Sequence, residues 1–503
     1  MDALERSRRE GERLVEALSR EYHQAYAGLK PGAELGPAYE RHAAAYDDDA
    51  LAAALETWRA APPDSDEARG ARMLAEWIVE TRAGRRLAAL EEREIAWEAS
   101  AVVRTPDGRS VPYQRAAIEI GNAADRTERL ALDAARAALV GAELAPLRRE
   151  RLSRERDLVE AAGVADGYVA TFEALAGMDL RALGDACGRF LADTQAMWDD
   201  VLPGELRRRL GVKRGEAARS DLTALLRAPQ FDAGFPPGAM EVTIRNQVER
   251  MGVDPRAGGR VRFDVGEREG KRARAFCAPV RVPEEVYLVL RPRGGQGDWR
   301  TFLHELGHAL HFGHARADLP FEFRWLGDNS VTEGYAILLD HLMLDRGWVR
   351  RHAELPAAQL DEYLRASALE ELLFLRRYCA KLRYELELYG GGVPWDALPD
   401  LYVETLGAAL DARHHAADAF VDVDPRFYAA RYLRAWQLQA RLTDALRERF
   451  DEDWWRNPAA GPWIVAELWS EGQRLAAHEL AERVGGGALD FAPLVRAIEA
   501  RLA

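Results

Sequence analysis

The chain has 503 residues, 48% hydrophobic and 30% charged, with a formal net charge of −14. That balance is typical of a globular chain with a sizeable core and argues against a nucleic-acid partner, because phosphate backbones attract basic proteins. No run of about eighteen apolar residues interrupts it, so no membrane span is expected.

The first residues, Met1 to Leu14, are dense in Arg and Glu and lack the apolar core of a secretory signal. Cys187, Cys277 and Cys379 are odd in number and widely spaced, which suits neither a disulfide framework nor a cysteine metal site. Together these features predict a cytoplasmic protein. From Leu4 to about Arg227, apolar residues recur every three or four positions in an Ala-, Leu-, Glu- and Arg-rich background, which predicts helix after helix. Breaks are expected at Lys30-Pro31-Gly32, Pro62-Pro63, Thr105 to Gly108, Gly163 to Gly167 and Pro203-Gly204. The arginines between Arg148 and Arg154 read as a solvated helix face.

Character changes at Ala228 to Gly238, where Pro229, Pro236 and Pro237 cluster. Residues 1–228 are therefore expected to form an N-terminal helical region and 229–503 the catalytic region of one continuous fold. Arg260–Val265, Arg272–Val280 and Val286–Leu290 are β-rich and predict a small sheet of about three strands. An edge strand there could pair with an extended ligand backbone, with Tyr287 and Leu288 as the contacts, or simply pack the following helix.

That helix, over Trp299–Phe312, carries His304-Glu305-Leu-Gly-His308. Residues four apart share a helical face, so both imidazoles can reach one cation, while Glu305 is placed to take a proton from water at that cation. A catalytic Zn2+ normally takes three protein ligands and keeps one position open. Glu333, near the start of a second predicted helix over Ser330–Leu344, is the preferred third ligand. His314 is the alternative, at the spacing metzincins use. Those enzymes, however, need a glycine at the position His311 occupies and a later methionine turn, whereas Met343 lies in a helical pattern. A buried helix with hydrogen-bonded histidines is the bland reading of the same motif.

Tyr287–Leu290, Gly294-Gly295, Thr301-Phe-Leu-His-Glu-Leu-Gly-His-Ala-Leu310 and Glu333 resemble the thimet oligopeptidase and oligoendopeptidase F family of zinc metallopeptidases, as does the stretch from Arg268 to Cys277. The resemblance implies a mainly α fold, two-lobed around a deep channel, with a small sheet beside the zinc helix, one Zn2+ per chain, and short unstructured peptides as substrates. It implies that Asp340 supports a ligating histidine. It also implies that Tyr428 and Tyr432, four apart on one helical face, donate hydrogen bonds to the carbonyl oxygen as it gains charge; two packed core tyrosines are the other reading. Two positions depart from the family pattern, Arg426 where a histidine stands and Ala435 where a third tyrosine stands, with His414 and His415 as substitutes for the former. Angiotensin-converting enzyme and a group of bacterial carboxypeptidases share this architecture, and Ala317 to Pro320 leans towards the former.

Pro356–Leu388 predicts a long helix closed by Tyr389 to Gly392, and Trp454, Trp455, Trp463 and Trp469 are expected to pack the C-terminal part. The expected protein is a zinc oligopeptidase, monomeric or homodimeric. A carboxypeptidase or dipeptidyl carboxypeptidase of the same architecture and a non-catalytic peptide binder are the alternatives.

Overall fold

The computed structural model describes residues 2–272 and 274–502. The chain is mainly helical, as expected, because its long segments repeat apolar residues at the helical period and carry capping residues where they begin. α1 (Ala3–Tyr26) starts at Asp2, whose carboxylate accepts the Glu5 N–H, and α2 (Asp66–Ser100) follows the Pro62-Pro63 break. Next come α3 (Gln296–His314), α4 (Asn329–Asp340), α5 (Ala357–Gly390) and α6 (Tyr428–Phe450) among the elements that matter below. No helix among the described residues is long and apolar enough to cross a membrane.

Two local expectations are corrected. Thr105 to Gly108 turns an antiparallel hairpin, β1 (Val102–Arg104) and β2 (Ser110–Pro112), rather than merely separating helices. Three-residue strands are too short to show alternation, and only Val103 and Val111, both buried against Ile120 and Leu132, reveal the inward face. Pro203 does not break its helix, which runs from Gln195 to Leu210. A proline there removes one backbone hydrogen bond, but Trp198, Val201, Leu202 and Leu206 are buried on either side and hold the helix.

The residues form two compact units. The first comprises Met1–Thr81, Gln230–Leu364 and Arg434–Leu494; the second comprises Arg82–Pro229, Arg365–Leu433 and Val495–Ala503. One crossing between the units lies at Pro229/Gln230, in the proline-rich stretch. The other crossings fall inside helices, where no turn residue marks them.

In the first unit a three-stranded sheet has the order β3-β5-β4, with β3 (Val261–Val265) parallel and β4 (Phe276–Arg281) antiparallel to β5 (Glu285–Leu290). Ala273, within the stretch expected to be the second strand, lies outside the described residues. Tyr26 of α1 meets Phe276 edge-on at 5.9 Å, and Phe302 of α3 meets Phe263 of β3 at 5.6 Å. α3 buries Trp299, Phe302, Leu303, Leu306 and Leu310, a stripe that fixes which face of the helix turns inward. Its first turn is anchored by Asp298, which accepts from the N–H groups of Arg293 and Gly294 at 2.6 Å each. Trp454, Trp455 and Trp469 are buried in this unit.

In the second unit, ion pairs hold two of the arginines expected to face solvent: Arg148 and Arg151 both pair with Glu94, which is 3% exposed. Outside that cluster, Arg136 grips Asp418 through two bonds of 2.8 and 2.9 Å. A buried carboxylate without such a partner would be costly, so these arginines are structural.

Candidate metal centre

α3 and α4 supply the site. His304 and His308, one turn apart on α3, set their rings perpendicular with centroids 4.9 Å apart. From α4, Glu333 Oε2 comes within 3.4 Å of His304 Nε2 and 3.6 Å of His308 Nε2. Among the described residues these three form a group whose candidate donor atoms all lie within 4.8 Å of one another. Zinc bonds of about 2.0–2.2 Å place tetrahedral donors roughly 3.3–3.6 Å apart, so the nitrogen–carboxylate separations suit one ion. Two imidazoles and one carboxylate are also a catalytic rather than a closed structural donor set.

The other ring nitrogens are held from α4 as well. His304 Nδ1 lies 2.9 Å from Asp340 Oδ2, and His308 Nδ1 lies 2.8 Å from Thr332 Oγ1. The first contact was anticipated by the resemblance; the second was not. Thr332 precedes Glu333 directly, and only the phasing of α4 against α3 brings its hydroxyl to an imidazole. Burial disfavours the imidazolium of His304, but Asp340 and Glu333 outweigh it and raise its pKa well above the ordinary value. His308, half-buried and facing no carboxylate at Nδ1, is shifted down by burial despite Glu333.

His314 stands apart from this group. Its Nδ1 donates to the Leu310 carbonyl at 2.9 Å and its ring leans on Trp469, so the rival third ligand is occupied elsewhere. His311 is fully buried and donates from Nε2 to the Gly472 carbonyl.

Glu305 is half-buried on α3. Its charge reaches β4: burial pushes the Cys277 thiol well up, and the nearby Glu305 carboxylate adds to that shift. The expected substrate contacts Tyr287 and Leu288 are placed differently from the expectation. They lie on β5, the central strand, paired with Arg262 and Phe263 on one side and with Ala278 and Cys277 on the other. Their backbone is therefore used within the sheet, and an added strand would have to join β3 or β4. Leu288 is fully buried, while Tyr287 stacks on His23 at 3.9 Å and donates its hydroxyl proton to Glu285.

Tyr428 and Tyr432 lie in the second unit on the first turns of α6, half-buried, with ring centroids 5.1 Å apart. Tyr378 of α5 meets Tyr432 edge-on at 5.3 Å, a third tyrosine from another helix near the pair that Ala435 does not extend. Arg426, where the family pattern has a histidine, bonds the buried Glu155 through Nε at 2.8 Å, and its backbone N–H donates to the Tyr168 hydroxyl. Arg426 and Phe427 both adopt left-handed backbone angles, φ 61° and 54°, a costly pair of conformations for residues with a Cβ. His414 bonds the Ala412 carbonyl and His415 the Asp133 carboxylate, so both histidines are committed within this unit.

No family model matches the sequence, and no curated protein matches it. Solved structures do match in fold. A candidate oligoendopeptidase F from Bacillus anthracis str. Ames aligns with a TM-score of 0.66 at 14% identity, covering 98% of this chain and 89% of that one. A candidate peptidase from Chlamydophila abortus gives 0.66 at 14%, covering 99% and 88%. An M32 carboxypeptidase from Deinococcus radiodurans R1 gives 0.61 at 16%, covering 99% and 97%. At these identities the likeness is one of fold.

Proposed function

We propose that this chain is a zinc-dependent oligopeptidase that hydrolyses internal bonds of short unstructured peptides, with His304, His308 and Glu333 holding the ion and Glu305 as general base. The observation that carries this reading is the convergence of three donor atoms from α3 and α4, with a carboxylate one residue along from the first ligand. When bound, the ion supplies Lewis-acid polarisation of the scissile carbonyl and lowers the pKa of water beside it. Glu305 takes the proton of the attacking water and returns it to the departing amine. Asp340 keeps the Nε2 lone pair of His304 turned to the cation by accepting from Nδ1. Tyr428, Tyr432 or both are the proposed hydroxyl donors to the oxygen that gains charge as the carbonyl becomes tetrahedral. The solved structures described as oligoendopeptidases and peptidases support peptides as the substrate class.

A carboxypeptidase is the second reading. It is favoured by the alignment to the M32 carboxypeptidase, which spans 97% of that chain. Metal analysis of the purified protein, with mass spectrometry of a digested peptide mixture, tests both. One zinc per chain and internal cleavage are expected; stepwise release of C-terminal residues would replace the first reading with the second. Glu305→Gln should abolish turnover with zinc retained. Loss of the ion from that variant would show that Glu305 is a ligand and not the base, and binding of peptides without cleavage by the zinc-loaded wild type would leave only a peptide-binding role.

A further inference from the structure

The two imidazoles are held by unlike partners. His304 Nδ1 faces a carboxylate, Asp340, whereas His308 Nδ1 faces the neutral hydroxyl of Thr332, itself 6% exposed. We infer that Thr332 is a positioning residue for the metal centre: its hydroxyl accepts from Nδ1 of His308 and fixes that ring with Nε2 turned towards Glu333. The inference rests on the metal-centre reading above.

Nε2 is the His308 nitrogen that faces Glu333, so it must carry the lone pair when a cation is held, and the ring proton must sit on Nδ1. Thr332 Oγ1 is the acceptor at 2.8 Å, and a hydroxyl rotor can turn its own proton aside to accept. A β-branched residue on a helix has few χ1 choices, so the oxygen is aimed before any ligand arrives. A carboxylate at the same place would add a third anion beside Glu333 and Asp340. The hydroxyl orients the ring without that charge. α4 thus contributes one ligand and the holders of both others, spaced as Thr332, Glu333 and Asp340.

Thr332→Val removes the acceptor at nearly constant volume, and Thr332→Ser keeps it. Zinc affinity is measured by competition with a chromophoric chelator, and the thermal midpoint of each metal-free protein reports the fold. Thr332→Val should lose about 10- to 100-fold in zinc affinity, with the metal-free midpoint unchanged, and Thr332→Ser should stay within a few-fold of wild type. Wild-type affinity in Thr332→Val, or a loss in Thr332→Ser as large as in valine, overturns the inference. Should valine lower the metal-free midpoint, the serine variant decides alone: retained affinity supports the hydroxyl and lost affinity refutes it. Failure of the wild-type protein itself to bind zinc would instead refute the metal-centre reading.

Discussion

Gly307 lies so close to Ala336 that a Cβ built on it would stand 2.5 Å from the Ala336 Cα and 2.6 Å from the Tyr335 carbonyl oxygen. α3 and α4 therefore touch backbone to backbone between the two histidine ligands. The short carboxylate arm of Glu333 reaches both imidazoles because of that approach. Gly307→Ala should force the helices apart, with a cost of about 1–3 kcal/mol in stability, as overpacking of a filled core does, and a loss of zinc affinity. Thermal unfolding and zinc titration check this; wild-type values in both would show that the contact does not set the site.

Asp340 accepts from His304 at 2.9 Å and is 9% exposed. Asp340→Ala leaves the ring free to rotate and removes the charge that raises its basicity. Zinc affinity should fall roughly 10- to 100-fold, with peptide hydrolysis restored by excess zinc. An unchanged chelator competition curve would exclude the supporting role.

For the tyrosines, Tyr428→Phe and Tyr432→Phe keep the ring pair, and the contact of residue 432 with Tyr378, and remove only hydroxyls. If one of them donates to the developing oxyanion, its removal should lower kcat about a hundredfold or more while KM changes little. Full activity in both variants would reduce the pair to packed aromatics.

Stability towards acid offers a test remote from the ligands. The ring of His352 leans on Trp348 at 5.0 Å and meets Trp455 edge-on at 5.7 Å; burial there, with Arg351 and Arg250 adding repulsion, pushes its pKa down to about 4. The ordinary value is 6.5, so below that pH the unfolded chain takes a proton that the folded ring refuses. This group's contribution is constant above about 6.5, falls as pH drops towards 4, and levels off below. With partial exposure discounted, the loss is of order 1–2 kcal/mol. His352→Phe should flatten that part of the stability curve measured by denaturant titration from pH 7 to pH 4, and an identical slope in both proteins would contradict it.

What was legible in the sequence is what one helix determines within itself. The interval from His304 to His308 is a single helical turn, so the facing of two ligands follows from backbone geometry alone, and the apolar repeat from Trp299 to Leu310 says which side is buried. The β-rich stretch before it was legible for the same reason, but strand order was not, and Tyr287 and Leu288 proved to lie in the middle of the sheet. The hairpin at Val103 and Val111 was too short to announce itself, and the cost of Pro203 was outweighed by the burial of Trp198, Val201, Leu202 and Leu206 on its own helix.

The relation between the two helices is a different kind of fact. That Glu333 meets the imidazoles depends on how α3 and α4 pack, and that packing turns on the missing side chain of Gly307, a feature no periodicity records; His314 is kept from them by α3 itself, which stays helical to that residue and turns it to another face. Thr332 and Asp340 acquire their partners by the same contact. The sequence by itself determined the chemistry available on each helix. The tertiary structure decided which of those groups share one point in space, because that depends on interhelical distance, and a single methyl group is enough to change it.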